Sequence, residues 1–379
     1  MTSARTYLDY NASAPLRPEA RAAMLAALDR DGNPSSVHVE GRTVRGIVEV
    51  AREEVARLVN AKPSEVVFTS GATEANTWVM AAGWPAICVS GIEHDSVLAP
   101  ARAANAKLVE LTASTDGIVD VRASALTDAG KGALFCLMLA NNETGVIQPV
   151  AAAAALAREH GLAVHVDAVQ APGRIDVDFA ALGADTLALS AHKIGGPQGV
   201  GALIRRAGLP LDPQIKGGGQ ERGARAGTEN VVGIAGFGAA ADAARHGWVE
   251  EAVRMAELRD RLEAGIRAIT PQAVIFGAEV ARLPNTTLFS ILGMKAETAV
   301  IAFDLEGVAV SSGAACSSGK VTPSHVLAAM GVPEALAKGA IRVSLGYATS
   351  DEDVGTILKA WGKLAESLYK AGNHKEIAA

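Results

Sequence analysis

The sequence predicts an α/β protein in which a mainly parallel sheet flanked by helices is followed by a smaller α+β unit. Three observations carry this. Between Val66 and Leu203 short apolar runs alternate with helical patterns, as βα crossovers require. At 379 residues the chain exceeds the roughly 250–300 at which one core stops growing, so two domains are expected. The last third changes rhythm to short strands and helices, closed by a helical tail over about 351–371.

In order along the chain, Pro18 opens a helix to Leu28, placed where its missing N–H costs little. DGNPSSVHVEG (31–41) is a polar loop, either a site lining or a surface connection. A long helix from about Gly41 to Val59 follows, its apolar positions Val44, Ile47, Val48, Ala51, Val55 and Leu58 recurring at threes and fours. EVVFTSGATEANTWVMAA (65–82) is a strand, a Ser-Gly turn and a helix. That arrangement aims backbone N–H groups at one spot and suits a phosphate, with Thr73 adding a hydroxyl, but it is also a plain capping turn.

Strands are expected at 86–89, 106–111, 134–139, up to Asp167, and from 185 into Ser190. Short helices begin near Val121 and span Val150 to His160. Ser70, His94, Asn142, Asp167 and Lys193 fall at successive strand ends, where parallel sheets place ligands. His94 could stack on a flat ligand or cap the next helix. Asn141 and Asn142 could meet a ring hydroxyl or a substrate carboxylate, or close their own turn. Gln170 lies within reach of the same pocket.

GGGQERGARAGTEN (217–230), with Arg222, Arg225 and Thr228, could wrap a phosphate across a dimer interface or form a surface hairpin. A helix-rich stretch spans about 231–269. Strands follow at 274–276, 286–290, 308–311 and 341–345, with helices at 295–305 and 324–330.

The chemistry centres on DTLALSAHKIGGPQGVGAL (185–203). An apolar strand runs into Ser190, His192 and Lys193 and stops at glycines and a proline, so the lysine is held rather than left in solvent. Asp167 ends a second strand, and a lysine with a carboxylate is the pair pyridoxal phosphate requires. Cys316 sits in VSSGAACSSGK among small residues, where an exposed reactive thiol is expected, although a tight structural turn would look similar. Cys88, in AICVS, reads as a buried thiol. Arg342 inside the strand IRVSLG is out of place unless its guanidinium meets an anion such as an α-carboxylate.

Composition narrows the function classes. Hydrophobic residues make up 49% and charged residues 20%, an ordered globular balance, and a net charge of −6 with no basic cluster argues against a nucleic-acid surface. No apolar run reaches the roughly 18–20 residues of a bilayer span, no secretory signal is read at the N-terminus, and Cys88, Cys136 and Cys316 cannot all pair; a cytoplasmic location without membrane contact is expected. No Cys-x-x-Cys or histidine cluster has metal-ligand spacing.

These motifs, from YLDYNASAP through GNPSSVH, TSGATEAN, EHDSV, NNETG, VHVDAVQ, SAHKIGGPQGVGAL, GGGQERGARAGTEN and SSGAACSSG to IRVSLG, closely resemble the cysteine desulfurases of the nitrogenase-associated and iron–sulfur-assembly branch. The resemblance covers nearly the whole chain. It implies a fold-type I pyridoxal-phosphate transferase with a seven-stranded, mainly parallel sheet in a large domain (14–245), and a small domain (1–13 and 246–379) carrying the cysteine loop.

By the same resemblance Lys193 is the Schiff-base lysine, Asp167 the partner of the pyridine nitrogen and His94 the ring-stacking imidazole. Ala72, Thr73, Ser190 and His192 form the phosphate grip, and Thr228 is given to it by the second subunit of a homodimer. Gln170 and Asn142 lie near the cofactor O3′ and the substrate, Arg342 binds the substrate carboxylate, and Cys316 accepts sulfur from L-cysteine. Cys316, through its persulfide, is also where a transferred iron–sulfur cluster could be held. Gln220 stands where close relatives often have histidine. The implied partners are L-cysteine and an iron–sulfur scaffold or other sulfur acceptor. A selenocysteine lyase, an aminotransferase of the same fold, and a non-catalytic sulfur-delivery scaffold are the alternatives.

Overall fold

The computed structural model describes residues 5–313 and 324–376, the side chains of the last helix only up to Ser367. Cys316 therefore lies outside the described residues.

Seven strands form the central sheet: β2 (Val66–Thr69), β3 (Ala86–Ser90), β4 (Lys107–Leu111), β5 (Leu134–Cys136), β6 (Ala163–Asp167), β7 (Thr186–Ser190) and β8 (Gly201–Arg205), after a short β1 (Thr6–Tyr7). Their spatial order is β2-β8-β7-β6-β5-β3-β4, and β8 runs against the others, so the expected mainly parallel seven-stranded sheet is present. Alternation along the strands sends side chains to two faces. Val67, Ile87, Leu134, Ala188 and Leu203 pack on one side with the helices Ala72–Met80 and Asp95–Ala103. Phe68, Cys88, Phe135, Val164, Leu187 and Ile204 pack on the other, against residues of the helices Val39–Leu58, Val150–Glu159 and Val231–Arg245. Both faces are dry, which explains why these strands read as near-continuous apolar runs.

A second core lies around β10 (Thr286–Ser290), which pairs antiparallel with β9 (Val274–Ile275) and with β13 (Ile341–Ser344). Trp361 of the last helix, Asp351–Glu376, packs edge-on to Phe289 at 5.0 Å and stacks on Phe303 at 6.4 Å. Leu8 belongs to this core, and β1 pairs with β11 (Val308–Ala309), so the first described residues fold with the last third of the chain.

Several elements differ from their sequence reading. The apolar run 134–139 is a regular strand only to Cys136: beyond it Glu93 takes the Met138 N–H at 2.6 Å on one side, while the Leu137 and Leu139 N–H groups still donate to the His165 and Asp167 carbonyls of β6. The helix-rich stretch 231–269 is present as expected, as two helices broken at Gly247, whose φ of 81° is left-handed. The run 308–311 turns at Val310, so that β11 joins one sheet while β12 (Ser311–Ser312) joins β13 in another. The helix expected near Val121 spans Ala123–Ala129, and a short helix at Glu334–Ala337 had no sequence reading.

Candidate active site

The carboxyl ends of the parallel strands open onto one cavity of about 530 Å3. Ser70, Ala72, Thr73, His94, Asn142, Asp167, Gln170, Ser190, His192, Lys193 and Arg342 all line it, so residues spread over 273 positions of sequence converge at one point. Thr228 does not line it; on this chain it is exposed.

Each group is aimed by its local structure. After β7 the chain makes a single 3-10 turn, Ala191–Lys193, locked by the Gly196 N–H donating to the Ala191 carbonyl at 2.9 Å. Lys193 Nζ donates to the carbonyl oxygens of Asn11 and Ala12 at 2.6 and 2.9 Å, which ties the amine to the N-terminal segment. At the opposite wall, Gly71 precedes the nine-residue helix Ala72–Met80. Its turn can sit against β8 only because residue 201 is glycine: a Cβ there would lie 2.7 Å from Gly71 Cα and 2.6 Å from the Leu189 carbonyl. The first-turn N–H groups of that helix, Ser190 and His192 form one polar end to the cavity. Burial pushes the His192 imidazole down to about 4, with Lys193 adding to the effect, so it stands neutral there.

Asp167 is 6% exposed, and its carboxylate accepts from Asn76 Nδ2 at 2.9 Å and from the Val169 N–H at 3.0 Å. His94 both caps the helix Asp95–Ala103, Nδ1 accepting from the Ser96 N–H at 3.0 Å, and borders the cavity. Burial, above all, lowers its affinity for a second proton. The two adjacent amides divide their roles. Asn141 closes its own turn, accepting from the Glu143 and Thr144 N–H groups, whereas Asn142 keeps a buried Oδ1 with no partner among the described residues. Gln170 is held between the Asn11 carbonyl and the Arg174 guanidinium.

Arg342 is only 2% exposed on β13. It donates to the Asn142 carbonyl at 3.0 Å and to Asp9 Oδ1 at 2.8 Å, and its Nε has no partner among the described residues. A buried guanidinium with a spare donor edge at a cavity wall is equipped for an anion.

Several residues of this site had no sequence reading. Asn11 contacts Lys193, Gln170, Asn142 and Thr286, and Arg174 braces Gln170 and the Lys193 carbonyl. Asn76 and His165 lie behind Asp167. Glu143 is buried next to Asn142; it accepts from Ser324 Oγ at 2.5 Å, and a Cβ built on Gly313 would come within 3.1 Å of its carboxylate, so it lies near both residues that bracket 314–323. The 217–230 loop is no loose hairpin. Glu221 is buried with Arg52 at 2.7 Å, and Arg222 and Arg225 pair with Glu49 and Glu74 of the same chain. Cys88 is buried as expected, and desolvation pushes its thiol up to about 12. No group of three metal-ligating side chains occurs among the described residues, and none of the described helices is long and apolar enough to cross a membrane.

Glu93 yields a pH prediction. Burial, with Asp167 nearby, raises its carboxyl to about 8 from 4.5, so the native protein holds a proton that the unfolded chain releases above about 4.5. Its contribution to stability is complete below that value and is lost as pH rises towards 8, with a slope of at most about 1.4 kcal/mol per unit. Glu93→Gln should remove this decline, so that urea midpoints at about pH 6 and 8 lie closer together than in the parent protein. An unchanged difference would show Glu93 already ionised in the fold.

Comparison with known proteins agrees with this geometry. Residues 6–357 match the family model described as aminotransferase class-V. The chain is 43% identical to a cysteine desulfurase of Cereibacter sphaeroides over 96% of both chains. It is 40% identical to the cysteine desulfurase IscS of Dictyoglomus turgidum, over 98% of this chain and 97% of that one. Among solved structures, a NifS-like protein from Rickettsia africae superposes with a TM-score of 0.89 at 35% identity, covering 97% of this chain and 99% of that one.

Proposed function

The chain belongs to the class-V aminotransferase family and, within it, to the cysteine desulfurases, and we propose that the cavity around Lys193 is where it takes sulfur from L-cysteine. The overall reaction turns L-cysteine and a protein thiol into L-alanine and a protein persulfide. The observation that carries the site assignment is the convergence of Lys193, Asp167 and Arg342 on one cavity, an amine, a carboxylate and a guanidinium from three separate elements.

These residues fit pyridoxal phosphate as the resident cofactor. The polar end formed by Ala72, Thr73, Ser190 and His192 offers N–H and O–H donors to a phosphate. Asp167 offers an acceptor to a protonated ring nitrogen, Lys193 an amine to the aldehyde, and the orphaned Asn142 Oδ1 an acceptor for a donor in the cavity. Bound there, pyridoxal phosphate supplies an aldehyde for an amine and a pyridine ring that withdraws electrons from the substrate α-carbon.

The chain's own residues supply the rest. Arg342 orients the substrate by its α-carboxylate, and its burial excludes water from that contact. Lys193, once its nitrogen is released, takes the α-proton. Asp167, fixed by two donors, keeps the ring-nitrogen proton in place, and His94 covers the ring face. The Cys316 thiolate attacks the substrate sulfur. A sulfur–sulfur bond forms, and the electron pair of the broken carbon–sulfur bond stays with the substrate carbon, which gains a proton and leaves as L-alanine. Supporting this role, Ser324 donates to Glu143 and Gly313 lies near it, which brings both ends of 314–323 close to the neighbour of the cavity residue Asn142.

Thr228 serves the phosphate site of the second subunit in a homodimer. It is exposed on its own chain, outside that chain's cavity, in a loop tied by the Arg225–Glu74 pair to the helix that begins at the phosphate end. The chain divides into a large domain (14–245) and a small one (1–13 and 246–379): Leu8 packs with Leu258, Phe289 and Trp361 in the second core, while Phe276, Leu288 and residues of 326–340 pack against the first. The enzyme works in the cytoplasm, and its persulfide sulfur passes to an iron–sulfur scaffold or another acceptor protein, Cys316 being where a transferred cluster would be held.

The test is incubation of the loaded enzyme with L-cysteine and a thiol reductant, with no 2-oxo acid. Alanine and sulfide should appear in equal amounts. No alanine and no sulfide without a 2-oxo acid, but conversion of an added 2-oxo acid into its amino acid, would assign an aminotransferase instead.

A further inference from the structure

Behind the cavity wall lies a chain of buried side chains that the reaction does not itself require, Thr186, His165 and Asn76, each no more than 1% exposed, and it reaches the cavity edge at Ser96. Asn76 Nδ2 lies 2.9 Å from Asp167 Oδ2 and 2.9 Å from Ser96 Oγ, and Asn76 Oδ1 lies 2.9 Å from His165 Nε2. His165 Nδ1 lies 2.8 Å from Thr186 Oγ1. Ser96 Oγ is 2.8 Å from His94 Nδ1.

Chemistry assigns every proton in this chain. An ionised carboxylate can only accept, so the amide nitrogen of Asn76 must face Asp167 and its oxygen must face His165. His165 Nε2 must then carry a hydrogen. Complete burial keeps His165 neutral, its affinity for a second proton falling to about 3, so Nδ1 is bare and accepts from Thr186. On the other branch, the two hydrogens of Asn76 Nδ2 are given to Asp167 and Ser96, and the Ser96 hydroxyl hydrogen goes to His94 Nδ1, which already accepts the Ser96 N–H. His94 Nδ1 is therefore bare and its single hydrogen is on Nε2. All donors run one way, from Thr186 towards the cavity.

We propose that Asn76, oriented by His165 and Thr186, is a positioning residue that holds Asp167 as a pure acceptor and, through the Ser96 hydroxyl, reinforces the Nε2–H tautomer of His94 that the Ser96 N–H selects. One amide thus aims its two hydrogens at Asp167 and at Ser96, next to two groups that line the cavity, and the His165 Nε2 hydrogen holds its oxygen the other way. The proposal rests on the cofactor reading above. An apolar side chain at 165 would leave Asn76 Oδ1 unsatisfied and free to rotate towards Asp167, where oxygen meets oxygen.

The experiment has two parts. Nitrogen-15 shifts of the imidazoles, read in the loaded enzyme and in the cofactor-free protein from about pH 6 to 8, should show His165 and His94 neutral and protonated on Nε2. A charged His165, or a hydrogen on its Nδ1, overturns the proposal with no variant needed. His165→Phe should then weaken pyridoxal-phosphate binding about tenfold and move the pH midpoint of the bound cofactor's visible absorbance by about one unit. His165→Gln, which can still donate to Asn76, should recover most of both. A merely structural histidine would lower the thermal midpoint in both variants and leave the absorbance midpoint in place, and that result also overturns the proposal. If the parent enzyme forms no alanine from L-cysteine while the tautomers and the His165→Phe shift are as stated, the functional reading fails and this inference stands.

Discussion

Lys193→Ala should slow alanine formation from L-cysteine by about 10³–10⁴-fold, because one side chain both tethers the cofactor and moves the α-proton. Borohydride treatment should fix one pyridoxal group per chain on the parent protein and none on the variant, read by intact mass. The fold should persist. The amine's hydrogen bonds to the Asn11 and Ala12 carbonyls tie down only the N-terminal segment, while the turn that carries Lys193 is held by backbone bonds from Ala191 to Ile194 and Gly196. A variant that keeps the borohydride label would place the covalent link elsewhere.

Arg342→Lys should cost at least about thirtyfold in kcat/KM, equivalent to about 2 kcal/mol, with most of the loss in KM. The guanidinium satisfies three separate demands at once: the Asn142 carbonyl, Asp9, and a spare Nε edge for the substrate carboxylate. Lysine keeps the charge but is a point donor on a flexible stem and cannot meet them together. Cofactor absorbance should be unchanged, since Arg342 contributes none of the groups that fit the cofactor. A loss confined to kcat would mean that Arg342 acts in the chemistry and not in holding the substrate.

Much of this site was readable before the fold was known, for a physical reason. In a parallel sheet all strands release their next residues at one edge, so polar groups just past apolar runs must gather there, as His94, Asn142, Asp167 and Lys193 do. Asn76 and His165 gave no such signal. One is interior to a helix and the other alternates with valines in β6, and only the packing of that helix on the sheet brings them together. Asn11 and Asp9 were hidden by distance along the chain, lying 182 and 333 residues from Lys193 and Arg342. Glu93 and Glu143 had no sequence reading, and burial above all makes them unusual. Thr228 illustrates the opposite case, a residue picked out in the sequence that its own chain does not bring to the cavity.

The central claim is that sulfur moves from L-cysteine at the Lys193 cavity to a thiol of this same chain. A single turnover with sulfur-labelled L-cysteine, quenched by alkylation and followed by peptide mapping, tests it most directly. One labelled sulfur should appear on the peptide containing Cys316 for each alanine formed, and none should appear on that peptide in Cys316→Ser. Alanine formed in step with label on another residue, or with no labelled peptide at all, would contradict the account.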